Sequence, residues 1–238
     1  MSERLVPEER KAQIIQAALE LFRKKGYEDT TISNIIDCAG ISKGGFYHHY
    51  AGKEELLEDI AQLFIGEILA IIREVAKRDD LSPLEKMNAY LRQVNDYKKD
   101  SPVEVAALLS ELYSGGKNRQ LENLIFGYGQ EQIAPLMESI IIQGVEEGEF
   151  RTDYPEEAAQ TYVKLFLIHQ REMAEAFVEA LAERSEEMVE TIMRKYAFLQ
   201  KVVEDILGLP EGSLVIEEIA HDAMEQLGRE MFSEGETS

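Results

Sequence analysis

The chain has 238 residues, 45% of them hydrophobic and 30% charged, with six prolines, which suits a helix-rich globular protein of one large or two small domains. A single cysteine, Cys38, excludes an internal disulfide, and the net charge of −21 argues against indiscriminate nucleic-acid binding. No apolar run approaches the ~20 residues that a bilayer-crossing helix needs, and the charged segment from Met1 to Arg10 predicts no secretory leader, so a cytoplasmic setting without membrane attachment is expected.

Pro7 to Lys25 reads as the first helix. Ile14, Ile15, Ala18, Leu21 and Phe22 form one apolar stripe, and Arg23, Lys24 and Lys25 complement the dipole of the last turn before Gly26. Direct phosphate contact by that triplet is the other reading. Thr30 or Thr31 caps a second helix carrying Ile32, Ile35, Ile36 and Ala39, in which Cys38 is expected to be a small buried residue. Gly40 ends this helix and Ser42 begins the next, so Ala39-Gly40-Ile41-Ser42 is a helix-turn-helix signal.

The third helix, Lys43 to Tyr50, is short and polar, with only Phe46 and Tyr50 spaced to pack inward. Gly44 and Gly45 each cost about 1 kcal/mol of helix propensity, a loss that makes sense where backbone must approach another surface. From Ile41 to Lys53 there is no acid, and residues 1–53 hold eight Lys/Arg against seven Asp/Glu, leaving −22 for the remainder. By the turn alone, this is either a surface hairpin without a partner or a groove reader. His48 and His49 are also a possible metal pair, but neighbours on a helix point about 100° apart and do not converge, so no metal is expected.

Lys53 to Ala76 is predicted as one long helix of about 36 to 38 Å, with Lys53 free to meet a phosphate and with Leu56, Leu57, Ile60, Phe64 and Ile68 on its apolar side. Ser82-Pro83-Leu84-Glu85 and Ser101-Pro102-Val103-Glu104 are capping boxes. They predict helices over 83–99 and 102–114. After a Gly115-Gly116 loop a helix is expected over 118–146, interrupted or kinked near Pro135. Helices over 155–183 and 186–207 follow, and an extra amphipathic helix over 213–232.

The Ile14–Leu57 stretch closely resembles the DNA-binding domain of the tetracycline-repressor (TetR) family of transcriptional regulators. The matching features are Gly26-Tyr27, Thr30-Thr31, Ser42-Lys43-Gly44, Phe46-Tyr47-His48-His49-Tyr50 and Lys53-Glu54, in order, with the likeness covering about residues 8–68. The resemblance implies an all-α fold. It divides into a helix-turn-helix DNA-binding domain over 1–53, its motif at 31–50, and a helical effector-binding and dimerisation domain over 54–238. It also implies a homodimer on a palindromic operator in double-stranded DNA, released by an unknown small-molecule effector. The expected DNA contacts are Thr31, Ser42, Lys43, Gly44, Gly45, Tyr47, His48, His49 and Lys53.

An effector pocket is implied only by the resemblance, with Phe64, Met87, Tyr90, Tyr97, Tyr113, Met137, Phe166 and His169 as candidate lining. A lipophilic cation, a fatty-acyl compound and an aromatic are all open. The last helical pair is unusually apolar, which predicts a second protomer packed against Phe166, Met173, Phe177, Met188, Ile192, Tyr196, Leu199 and Val203. The alternative is a thick monomer core. No phosphate loop, zinc spacing or convergent nucleophile and base occurs, so neither catalysis nor a cofactor is expected. An activator of the same architecture, or a helical binding protein without DNA recognition, remain as other readings.

Overall fold

A computed structural model describes residues 7–100, 118–183 and 185–233, and among them every regular element is a helix. α1 (Pro7–Lys25), α2 (Ile32–Ala39) and α3 (Lys43–His49) form a small N-terminal unit. Gly26 and Gly40 both adopt positive φ, as the two turns require. Thr31, and not Thr30, is the N-cap of α2. Its hydroxyl accepts from Asn34 N–H, and the Asn34 side chain accepts from Thr31 N–H. Thr30 is buried, donating to Gly26 O at 2.7 Å.

α4 (Lys53–Ala76) runs from this unit into the body, which continues with α5 (Pro83–Asp100) and α6 (Arg119–Tyr128). The break in the expected 118–146 helix lies ahead of Pro135: a π-helical turn, Gly129–Ile133, separates α6 from α7 (Ala134–Glu146). The helix is closely packed at Gly129, the first residue of this turn, where a β-carbon would lie 2.7 Å from Leu167 Cδ1. Pro135 falls in the first turn of α7, where its missing N–H is tolerated. The expected 102–114 helix, its capping box at Ser101, the Gly115-Gly116 loop and Tyr113 lie outside the described residues.

α8 (Pro155–Glu183) and α9 (Glu186–Leu207) form an antiparallel hairpin, and α10 (Ile216–Ser233) packs on α9. The connection into α10 is tightly held. The buried Glu204 carboxylate accepts from Gly212 and Leu214 N–H, Gln200 accepts from Glu217 N–H at 2.8 Å, and Asn88 bonds both Ser213 O and Val215 N–H. One apolar core runs without break from Ile14 and Phe22 through Phe46, Leu56 and Ile60 to Met137, Tyr162 and Ile216.

Two expectations need correction. Met173, Ile192, Leu199 and Val203, assigned to the dimer face, are buried within the single chain. Ile192 and Met173 share a small cluster with Met224 of α10, so the extra helix covers much of the stripe that a partner was expected to cover. Met188 and Tyr196 are half-buried beside that cluster and Phe166 is half-buried in the main core, while the side chain of Phe177 is outside the described set. Cys38 is exposed, its thiol 3.8 Å from Glu20 Oε2. Partial burial, then that carboxylate, push the thiol up from its ordinary range.

Candidate nucleic-acid interface

The recognition surface is built by two inward aromatics and one cap. Phe46 is buried, and Tyr50, also buried, donates to Asp59 Oδ2 at 2.7 Å. Burial first, then this bond, push its phenol well above the usual range. Lys11 pairs with the same Asp59 at 2.9 Å, so α3 is tied to α4 and α1 together. Ser42 caps α3, accepting from Gly45 N–H at 3.0 Å. With its inner side fixed, α3 turns Lys43, Gly44, Tyr47 and His48 to solvent, while Gly45 and His49 are half-buried.

A β-carbon at Gly44 would meet nothing within 4 Å, so packing inside this chain does not require glycine there. The absence of a side chain leaves α3's first turn open to close approach by another molecule. Lys43 Nζ lies 5.9 Å from the Tyr47 ring centroid, and the rings of His48 and His49 meet edge to face at 5.2 Å. The Thr31 N-cap is exposed beside this face, at the start of α2. The described acid-free surface is therefore a donor-rich patch with one exposed cation and two imidazoles, suited to phosphate oxygens and base edges.

Lys53 is not part of that patch. Its ammonium donates to Tyr27 O at 2.8 Å and Thr30 O at 2.9 Å and lies 4.0 Å over the Tyr27 ring, so it is held by the α1–α2 turn and is not free for a phosphate. Nor is the basic end of α1 open: Lys24 pairs with Glu20, and Lys25 donates to Asn34 Oδ1.

The expected effector residues are mostly core. Met87, Tyr90, Met137 and His169 are buried, and Phe64, Tyr97 and Phe166 half-buried. His169 stacks edge-on against Tyr196 at 4.5 Å. Tyr162 was not among the expected effector residues. It is fully buried, 4.6 Å from Phe166, with burial and then Tyr90 pushing its phenol well up, and its hydroxyl finds no hydrogen-bond partner among the described residues. Tyr162 and Tyr90 are thus the buried polar groups that sit together in the body. An open groove of roughly 400 Å³ lies elsewhere, lined by Gly148, Glu149, Arg151, Gly208, Leu209 and Pro210, and none of the expected lining residues borders it. Among the described residues no group of three or more metal-ligating side chains converges, and no helix is long and apolar enough to cross a membrane.

Residues 14–60 match the family described as bacterial regulatory proteins, tetR family. The chain is 25% identical over 158 residues to the HTH-type transcriptional repressor KstR2 of Mycobacterium tuberculosis, a match that covers 65% of this chain and 76% of that protein. Among solved structures, Salmonella enterica GusR superposes with a TM-score of 0.59 at 20% identity, covering 87% of this chain and all of that one. A gamma-butyrolactone receptor (ArpA-like protein) superposes with a TM-score of 0.56 at 22% identity, covering 93% of this chain and all of the other.

Proposed function

We propose that the chain, whose residues 14–60 match the tetR family of bacterial regulatory proteins, is a member of that family and a ligand-responsive transcriptional repressor of the cytoplasm that binds rather than catalyses. The observation that carries the reading is the α3 surface: Lys43, Gly44, Tyr47 and His48 stand exposed on a helix whose other side is locked by Phe46 and Tyr50. Thr31, Ser42, Gly45 and His49 border the same face and complete the proposed contact set. The acidic remainder of the molecule repels duplex DNA in general, so affinity rests on these few contacts.

A second copy would present a second α3 to the next major groove, with centres about 34 to 36 Å apart on a palindromic operator. The surface that supports this pairing differs from the stripe expected from sequence. On the α8–α9 hairpin, Glu172 and Lys195 pair at 3.6 Å and set the register. One turn away lie Ile168 and Phe198, both exposed, and two turns away half-buried Leu165 and Val202 on the same sides of their helices. Phe198 is 70% exposed, unusual for so large an apolar side chain near the middle of a helix. Two hairpins joined across these residues form a four-helix bundle.

The effector would be a small lipophilic molecule received in the body near Tyr90 and Tyr162, where an unpaired buried hydroxyl is available to an acceptor. Its binding favours the protomer arrangement whose α3 spacing no longer fits the operator. Selection of bound duplexes from random-sequence DNA tests the reading. A palindrome is expected, with affinity lost in Lys43→Ala/His48→Ala. Recovery of no preferred duplex, or a double variant that binds as the parent does, refutes it.

A further inference from the structure

Asn118 occupies the N-cap position of α6, yet its side chain makes no capping bond to its own helix. Asn at that position ordinarily accepts from the second or third N–H of the helix it begins. Here its Oδ1 accepts instead from the N–H of Tyr27, 91 residues away in the α1–α2 turn, at 3.0 Å and in a buried setting. Two residues on, Gln120 donates to Glu28 Oε1 of the same turn at 2.7 Å.

Tyr27 is the common point of three elements. Its N–H meets α6, its C=O meets Lys53 at the first residue of α4, and its ring lies under Lys53 and edge-on to Phe22 of α1 at 5.3 Å. The same turn leads through Thr30 to the Thr31 cap of α2, the residue bordering the DNA face. At its other end α6 enters the π-helical turn where Gly129 lies against Leu167 of α8. α6 is therefore a strut about 15 Å long, seated on the hairpin at one end and on the reader at the other.

We propose that Asn118 is a positioning residue for operator binding: it couples the body to the reader through α6 and Tyr27, alongside the covalent route through α4. The inference rests on the regulator reading above. Because the acceptor reaches across to the reader and not to its own helix, a shift of α6 relative to α8 alters the Tyr27 hydrogen bond directly. By reciprocity, operator binding at α3 must be felt in α6.

Hydrogen exchange of the full chain, read by mass spectrometry with and without the duplex recovered by selection, tests this. In the parent, the duplex is expected to slow exchange of the 119–122 amides and of the Tyr27 amide by about fivefold or more, the lower range of allosteric couplings. Asn118→Ala should abolish the duplex-dependent change in 119–122. Asn118→Asp, which keeps the acceptor and suits a helix N-terminus, should restore it. An unchanged α6 in the parent overturns the proposal by itself, whether or not Asn118→Ala folds. An equal change in parent and Asn118→Ala overturns it too. Recovery of no duplex sinks the regulator reading and this inference with it, whereas a recovered duplex that leaves α6 unmoved sinks only the inference.

Discussion

Replacing Lys53 with methionine separates two roles that sequence alone confuses, because the structure engages this lysine within the fold. Its ammonium makes two charge-assisted bonds, to Tyr27 O and Thr30 O, and lies 4.0 Å over an aromatic ring. Each such bond contributes about 1.5 kcal/mol at the lower end of its range, and the ring contact about 0.5 to 1 kcal/mol. Lys53 is half-buried, so water takes over part of the carbonyl hydration in the variant and a net loss of about 2 kcal/mol is expected. In a chain of this size that lowers Tm by roughly 4 to 8 °C. Lys43→Met is the paired control: Lys43 is exposed and its removal should leave Tm nearly unchanged. The two diverge again in salt titrations of operator binding. Losing one phosphate contact per protomer flattens the slope of log K against log salt by about 1.8 for a dimer, and this is expected for Lys43→Met alone. A Lys53→Met protein with parental Tm and a flattened slope would refute the assignment.

Phe198→Glu should convert the proposed dimer to monomers in sedimentation equilibrium without lowering helix content, since the side chain is 70% exposed in the single chain; Ile192→Glu, fully buried, should unfold it instead. A Phe198→Glu protein that stays dimeric would move the interface elsewhere. Gly144→Ala places a β-carbon 2.2 Å from Cδ2 of the buried Phe150 ring, and calorimetry should show destabilisation. Overpacking costs about 1 to 3 kcal/mol against about 1 kcal/mol regained in helix propensity, so the net loss reaches about 2 kcal/mol; a more stable variant would contradict the packing.

In alkali, Tyr27 and Tyr196 are pushed up to about 12 by burial, and Tyr50, Tyr90 and Tyr162 are raised as well. A phenol with a raised folded pKa contributes stability that is complete below the unfolded value near 10 and is lost as pH climbs through the folded one. Absorbance at the phenolate band should therefore show these tyrosines, five of the ten, ionising together with the loss of helical signal. Ionisation ahead of unfolding would contradict their burial.

The N-terminal unit was legible in the sequence because its signals are local: Gly40, Ser42, Thr31 and the period of Ile32 and Ile35 act within one or two turns. So was the apolar character of α9. What period cannot say is which surface covers an apolar stripe, and here α10 supplies Met224 where a second protomer was expected. Lys53 and Asn118 escaped for a related reason. Their partners lie 23 to 91 residues away on the α1–α2 turn, and nothing in the spacing of charges or amides announces a carbonyl or an amide N–H brought there by folding. Gly129 shows the reverse case, a residue legible as helix whose missing side chain matters only once Leu167 is packed against it.

The unbroken core from Ile14 to Ile216 bears on how such a molecule can be rewired. A chimera that takes this chain up to the start of α4 and another protein beyond it would treat the halves as interchangeable modules. In this chain that cut would strand Tyr27 between a foreign Lys53 and a foreign Asn118. A transplant should keep its ability to switch only when both recipient positions again supply an ammonium and an acceptor to that one turn.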